Sequence, residues 1–432
     1  MARLITILLL LLLILINKLL FRTFFTPSGT LSCMWLALVL GQQILASDMY
    51  YGYSTCAFII SLVIFFVIGE FTMILLLPRK FLSYDYIKDY KRYDSIKISL
   101  GNIIFLVGTL SIFGSMLYLI QFVRLFGSLQ GLIGAGWTIR EALSNSTLSI
   151  PVWINYMSML SYLGVIFSLV YWIYFGYRKV LIMPFIAIVI YGFAQVGRAG
   201  TIILLLDIFV GSYWYQKIRG YSSLDLRLLR RLGGVIAAVV ILFILVEMMR
   251  YQTFDFNSEN ISKIYNSFII YAFGGLGSFT YYLNTVFSNE YLTLGRYTFS
   301  SLYQLLGIHG QEIGVYEQYL PMYASRTEVT NVYTAFRPLL EDFGFLGASL
   351  FMYFLGFIFA WVYRKASIGK PYAIALIIPL YTFLLFSIIA PLTQFNSFLA
   401  SILFPPIILK ILVNSKFQSR RVKLVWKKHK FG

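Results

Sequence analysis

The chain has 432 residues, of which 59% are hydrophobic and 12% charged, with a formal net charge of +18. Water-soluble domains carry about twice that charged fraction, so one core cannot hide the apolar surface and lipid has to be the solvent. The basic residues are dispersed over many segments and form no recognisable reader, which argues against nucleic acid as a partner. They report topology and contact with anionic lipid headgroups instead.

Apolar runs of roughly 17 to 25 residues match a hydrocarbon layer about 30 Å thick. Eleven such spans are predicted, at 4–20, 30–46, 53–77, 99–122, 152–176, 180–195, 200–213, 232–249, 341–363, 372–391 and 397–413, the sixth and seventh being short. The expected fold is therefore all-α, a single transmembrane domain over 1–432. It has one large external loop at 250–340 and a basic cytoplasmic tail at 414–432. The first run reads as a span rather than a signal peptide, because no small-residue cleavage site follows it and its basic flank, Lys18 and Arg22, comes after it.

With these spans drawn, alternate loops hold 26 of the 35 basic residues. They are Lys18 and Arg22; Arg79, Lys80, Lys88, Lys91, Arg92 and Lys97; Arg178 and Lys179; Lys217, Arg219, Arg227, Arg230 and Arg231; Arg364, Lys365 and Lys370; and eight from Lys410 to Lys430. The opposite loops keep Arg3, Arg124, Arg140, Arg198, Arg250, Lys263, Arg296, Arg326 and Arg337. Lys and Arg accumulate in cytoplasmic loops, so the N-terminus is expected outside and the tail inside.

Within the spans, Glu70 and Asp207 are carboxylates in costly positions, expected to pair with neighbouring helices. Cys33 and Cys56 fall near opposite faces and are poorly placed to bond. No His, Cys and carboxylate spacing marks a metal site, and neither metal nor cofactor is expected. The tight hairpin Gln195-Val-Gly-Arg-Ala-Gly200 joins two short spans, which places Arg198 in a partly dehydrated position where it needs an anion. Glu247 is expected to pair with Arg250 at i,i+3. A second external loop, about 123–151, carries Trp137, Arg140 and Glu141.

The loop at 250–340 begins with a polar run and continues into an apolar stretch from Tyr265 to Tyr282, broken by Gly274, Gly275 and Gly277. This stretch is predicted to be an interfacial or re-entrant segment covered by protein. Arg296, His309, Glu312, Glu317, Arg326 and Glu328 follow in a tyrosine-rich context. The densest cluster is Thr330-Asn-Val-Tyr-Thr-Ala-Phe-Arg-Pro-Leu-Leu-Glu-Asp-Phe-Gly344. Arg337, preceding Pro338, is expected to be extended, and Glu341 and Asp342 to open the ninth helix at its carboxylate-favouring end. Helix capping thus competes with a chemical role for the two acids.

This run, placed after the major external loop and before a late span, resembles the oligosaccharide repeat-unit polymerases, the Wzy-type O-antigen and capsule polymerases of bacteria. Some members carry an Arg-x10-Gly pattern in external loops; Arg296 to Gly307 has that spacing, whereas Pro151 stands eleven residues after Arg140. The resemblance implies an enzyme of the bacterial cytoplasmic membrane, working on its external face. It would join repeat units carried on undecaprenyl pyrophosphate, with membrane lipids and a chain-length regulator as further partners. It assigns Arg337, Glu341, Asp342 and His309 to catalysis, one of the acids or the histidine as base. Arg198, Arg296, Arg326, Asn331, Tyr333 and Tyr319 would bind substrate, the arginines opposing pyrophosphate charge and the tyrosines offering flat faces to sugars. An O-antigen ligase shares this donor, and a flippase or other transporter is the non-enzymatic alternative. A flippase calls for polar residues spread through a central cavity, not gathered in one loop.

The basic-residue partition makes a direct prediction. Reporters fused after Lys91, Lys217 and Lys416 are expected to read as cytoplasmic and those after Arg140 and Ser258 as external. A cytoplasmic signal at Ser258 would overturn the placement of the site.

Overall fold

In hydrocarbon every backbone N–H and C=O has to be satisfied within its own segment, so apolar runs in lipid become helices. A computed structural model describes residues 1–21, 23–76, 90–134, 150–195, 197–220, 224–251, 255, 257–288, 291–308 and 318–430. Its principal helices are α1 (Ala2–Phe21), α2 (Pro27–Leu45), α3 (Tyr53–Leu76), α4 (Lys97–Leu125), α5 (Val152–Phe175), α6 (Met183–Ala194), α7 (Ala199–Ile218), α8 (Leu224–Tyr251), α9 (Ser258–Ile269), α10 (Gly275–Thr285), α11 (Phe336–Ser367), α12 (Pro371–Phe386) and α13 (Asn396–Lys430). The only sheet among the described residues pairs β1 (Leu320–Pro321) antiparallel with β2 (Val329–Thr330).

Each predicted span coincides with a helix. Among the described residues, eight helical segments are long and apolar enough to cross a membrane, within α1–α5, α8, α11 and the first part of α13. The remaining three are α6, with 12 residues, α12, with 16, and α7, which carries Asp207, Gln216 and Lys217. α12 is buried along almost its whole length between α2, α5, α7, α11 and α13, as expected of a helix apolar on every side. The two carboxylates inside spans are tied to neighbouring helices. Glu70 accepts the Ser28 N–H at 2.8 Å, at the open N-terminus of α2, and Asp207 accepts the Thr382 hydroxyl of α12 at 2.5 Å.

α3 and α11 form the tightest pair. A Cβ on Gly69 would meet the Tyr353 carbonyl oxygen, and one on Gly356 the Phe66 carbonyl oxygen, so small residues let the two backbones touch. The pair runs parallel, since Phe58 meets Phe345 at one end and Phe66 meets Phe359 further along.

The glycine-broken stretch is helical. α9, a π-helical turn at Ile270–Gly274 and α10 follow without interruption. Their 28 residues would measure roughly 42 Å along the axis, enough to cross the bundle, yet the hydrogen bonds from the π-turn and α10 to α2 and α3 lie at one end of it. The Gln42 amide near the end of α2 donates to the Phe273 carbonyl at 3.4 Å. Thr55 in the first turn of α3 hydrogen-bonds Thr280 at 3.0 Å, and Ser54 bonds Asn284. The segment therefore lies across the end of the bundle, and its glycines admit the β1 strand region: the Met322 carbonyl sits 2.9 Å from where a Gly277 Cβ would be.

Gly356→Ala is expected to destabilise the bundle by about 1–3 kcal/mol through overpacking, read as a lower unfolding midpoint in detergent. Gly233→Ala, where the added methyl meets nothing within 4 Å, is expected to be neutral or slightly stabilising. Equal midpoints for the two variants would refute the close α3–α11 contact.

Candidate functional site

The first turns of α11 depart from the predicted geometry. Arg337 is helical, and the helix begins at Phe336, so Glu341 and Asp342 lie past its first turn and do not cap it. Pro338 is tolerated because its missing N–H falls among the first four, which have no intrahelical acceptor in any helix. Phe336 fixes the entry by stacking on Trp35 at 3.9 Å and 8°, and the Ala335 N–H donates to the Ser387 carbonyl at 2.8 Å.

The helix is then interrupted at Gly344, whose φ of 65° and ψ of −172° are accessible to glycine alone at little cost. The break frees the carbonyls of Glu341 and Asp342 from intrahelical duty. They accept instead from the Thr293 N–H at 3.3 Å and the Leu294 N–H at 3.0 Å. Asp342, fully buried at 0% exposure, completes the attachment. Its Oδ1 accepts from the Tyr297 N–H at 3.0 Å and the Thr293 hydroxyl at 2.5 Å, and its Oδ2 from the Thr298 N–H at 2.6 Å. This carboxylate organises the 293–298 loop, where Leu294 and Gly295 take positive φ values of 52° and 94°.

Arg337 is 1% exposed. Its guanidinium carbon stands 3.8 Å from the Tyr333 ring centroid and 4.1 Å from that of Tyr282, with Nη2 donating to Gln318 Oε1 at 3.3 Å. Nε lies 3.6 Å from Glu341 Oε2, one turn on. The side chain of Glu341 keeps 17% of its surface, which makes it the more open of the two acids. Three tyrosines surround the pair. Burial, then the nearby Glu341 carboxylate, pushes the Tyr282 and Tyr297 phenols upward, and burial does the same for Tyr333. All three stay neutral at physiological pH, and the Tyr333 hydroxyl donates to the Gln318 carbonyl at 2.6 Å.

Of the other residues singled out in the sequence, Arg296 is exposed on the loop that Asp342 holds, adjacent to Tyr297. Asn331 is half-buried just after β2, and Tyr319 is exposed just before β1. Arg326 is half-exposed, paired with Asp48 at 2.7 Å and lying over Tyr323 at 4.7 Å. Arg198 is elsewhere: its anion is Glu247 at 2.8 Å, which also pairs with Arg250 at 3.2 Å as the i,i+3 spacing predicted. His309, with Glu312 and Glu317, and the loop carrying Trp137, Arg140 and Glu141 lie outside the described residues. Among the described residues no group of three His, Cys, Asp or Glu is arranged to hold a metal ion.

Sequence reading missed Tyr282, Tyr297, Thr293 and Gln318. Tyr282 stood at the edge of the glycine-broken stretch, whereas nothing in the sequence marked the other three. No family model matches the chain, and neither a curated protein nor a solved structure matches it.

Asp342→Asn replaces one accepting oxygen by a donor that faces hydrogen-bond donors, an arrangement that costs about 1–3 kcal/mol. The 291–299 loop is expected to become sensitive to limited proteolysis in this variant and to stay resistant in Glu341→Gln. Unchanged resistance in both would refute the organising role of Asp342.

Proposed function

We propose that the chain is a membrane glycosyltransferase that polymerises lipid-linked oligosaccharide repeat units on the external face of a bacterial cytoplasmic membrane. In this reading it has eleven spans, an external N-terminus and a cytoplasmic basic tail. The observation that carries it is the constellation at one end of the bundle. A partly open carboxylate, Glu341, is held by a buried arginine, ringed by neutral tyrosines, and has the exposed Arg296 on the adjoining loop.

The chemistry follows from those groups. Glu341 takes the proton from the acceptor hydroxyl as that oxygen forms a bond to the anomeric carbon of the donor. The bond from that carbon to the pyrophosphate oxygen breaks, and the lipid pyrophosphate leaves with the electron pair. Pyrophosphate is a good leaving group, so positive charge near it is the main further requirement; Arg296 supplies this from the loop surface. Arg337 is enclosed by Tyr282, Tyr333 and Gln318 and acts as a positioning residue, orienting Glu341 and favouring its ionised form. Tyr297 and Tyr282 offer flat ring faces to sugars. The polar groups are gathered at one end, and the carboxylates within the spans are engaged with neighbouring helices. Both features support surface chemistry over a transport path.

Purified protein in liposomes, given lipid-linked repeat units and excess chelator, is expected to form polymer ladders. Glu341→Gln is expected to lower the rate by about 10²–10⁴-fold, the range for loss of a general base. Arg337→Lys keeps the charge but loses the planar fork and is expected to shift the pH profile as well as the rate. A strict need for nucleotide sugar or added divalent metal, or full activity in Glu341→Gln, would contradict the mechanism.

A further inference from the structure

The loop that Asp342 holds is irregular, yet much of its backbone between Thr293 and Ile308 is bonded to protein. The N–H groups of Thr293, Leu294, Tyr297 and Thr298 go to the Glu341 and Asp342 carbonyls and the Asp342 carboxylate. Carbonyls are met too. The Gln394 amide, from the turn between α12 and α13, donates to the Tyr297 carbonyl at 3.0 Å, the Thr393 hydroxyl to that of Thr298 at 2.5 Å, and the Tyr303 hydroxyl to that of Leu294 at 2.7 Å. Downstream, the N–H groups of Phe299, Leu302, Tyr303, Leu306, Gly307 and Ile308 find acceptors within the loop itself. A loop bathed in water can leave such groups to the solvent, whereas a segment at membrane depth has to satisfy them from protein.

The side chains show the opposite pattern. Tyr291, Leu292, Leu294, Leu302, Leu306 and Ile308 are exposed, Leu294 by 72% and Leu306 by 75%, and Arg296 is the one charged residue between 291 and 308. Leu294 is held at its positive φ of 52°, a region costly for a leucine, by the bonds to its N–H and carbonyl, and its side chain is outward. In water an outward leucine adds a second cost; among acyl chains it is favourable.

α11 supplies a measure of depth. Arg364 and Lys365 lie in its last turn, and a hydrocarbon core about 30 Å thick takes about 20 helical residues. Counted back from Arg364, the boundary at the other end falls near Gly344. Phe351 is about 10 Å further in along the axis. The loop reaches this level. The Phe299 ring lies 6.0 Å from that of Phe351, which stacks on Phe343 at 5.7 Å, and a Cβ on Gly295 would stand 3.5 Å from the Phe343 ring. Leu346, Leu350 and Phe354 are exposed on the same stretch of α11, as expected of a lipid-facing stripe, and the loop adds its exposed apolar side chains at that depth.

We infer that the 291–308 loop is seated in the membrane leaflet at this end of the bundle, with Leu294, Leu302 and Leu306 among the acyl chains. The longer Arg296 side chain reaches back to the headgroups. The partner is the lipid bilayer itself, because the exposed apolar surface of the loop lies level with the lipid-facing stripe of α11. The inference stands on the membrane-spanning helices alone and holds whichever reaction the site performs. It puts the open side of Glu341 at the hydrocarbon boundary instead of in bulk water.

The test places a nitroxide at Leu294→Cys, Leu302→Cys and Leu306→Cys in turn, in the full chain carrying Cys33→Ala and Cys56→Ala, in phosphatidylcholine liposomes. Labels at Leu350→Cys and Ser258→Cys serve as lipid and water references. In power-saturation electron paramagnetic resonance, the three loop labels are expected to be relaxed by oxygen in preference to a water-soluble nickel chelate, with a ratio that matches Leu350 and exceeds Ser258. Ratios no higher than that at Ser258 would overturn the inference. Protection from both reagents, the result for a loop covered by protein or by a second copy of the chain, would overturn it too. The unsubstituted chain gives a parallel measurement in which no variant has to fold. Phosphatidylcholine with a photoactivatable group in mid-acyl position is expected to crosslink residues 291–308 as well as 345–354, and labelling of 345–354 without 291–308 would contradict the seat.

Discussion

The arrangement at the site depends on the interruption of α11 at Gly344. A continuous helix would satisfy the carbonyls of Glu341 and Asp342 internally and turn both acids into ordinary helix-surface groups. The break presents two carbonyls and one carboxylate to a neighbouring loop at a single point. Five hydrogen bonds described above, from Thr293 to Thr298, then tether that loop to the helix. A buried carboxylate is tolerated only when donors surround it, and Asp342 meets this condition through the loop it holds. Glu341, one residue earlier, is thereby left as the acid with exposed surface, beside Arg337.

The segment lying across the bundle end gives the site its second side. Its glycines admit Met322 and the strand region, which positions Tyr333 and Gln318 around Arg337. Its tyrosines face arginines at its middle and near its C-terminal end, Arg198 through Tyr271 and Arg337 through Tyr282. Cations lying over aromatic rings gain about 0.5–2 kcal/mol, more as water is excluded, which offsets part of the cost of burying each guanidinium. The π-helical turn between α9 and α10 contains Tyr271, and such turns often accompany functional positions.

The membrane class and the helix positions were legible in the sequence because apolar run length is a strong signal in lipid. Legibility declined where tertiary contacts decide. Arg337 read as extended because of Pro338, yet the first turn of a helix does not need the missing N–H. Glu341 and Asp342 read as caps because the helix start was placed at the first acid, whereas packing of Phe336 on Trp35 draws it back. The pairing of Glu247 with Arg250 is local and was visible. The pairing of Glu247 with Arg198 joins positions 49 residues apart, so the requirement for an anion was evident and its identity was not. Asp342 could not be distinguished from Glu341, because its three donors belong to a loop more than forty residues upstream.

The central claim is that Glu341 receives the acceptor proton at this end of the bundle. A cryo-electron microscopy structure of the protein in nanodiscs with a lipid-linked repeat unit addresses it most directly. The account predicts a sugar hydroxyl within hydrogen-bond distance, about 2.6–3.2 Å, of the Glu341 carboxylate, with the donor pyrophosphate on the Arg296 side. Glycan bound at the opposite end of the bundle, among Lys217 and Arg364, or seated with Glu341 facing away, would contradict it.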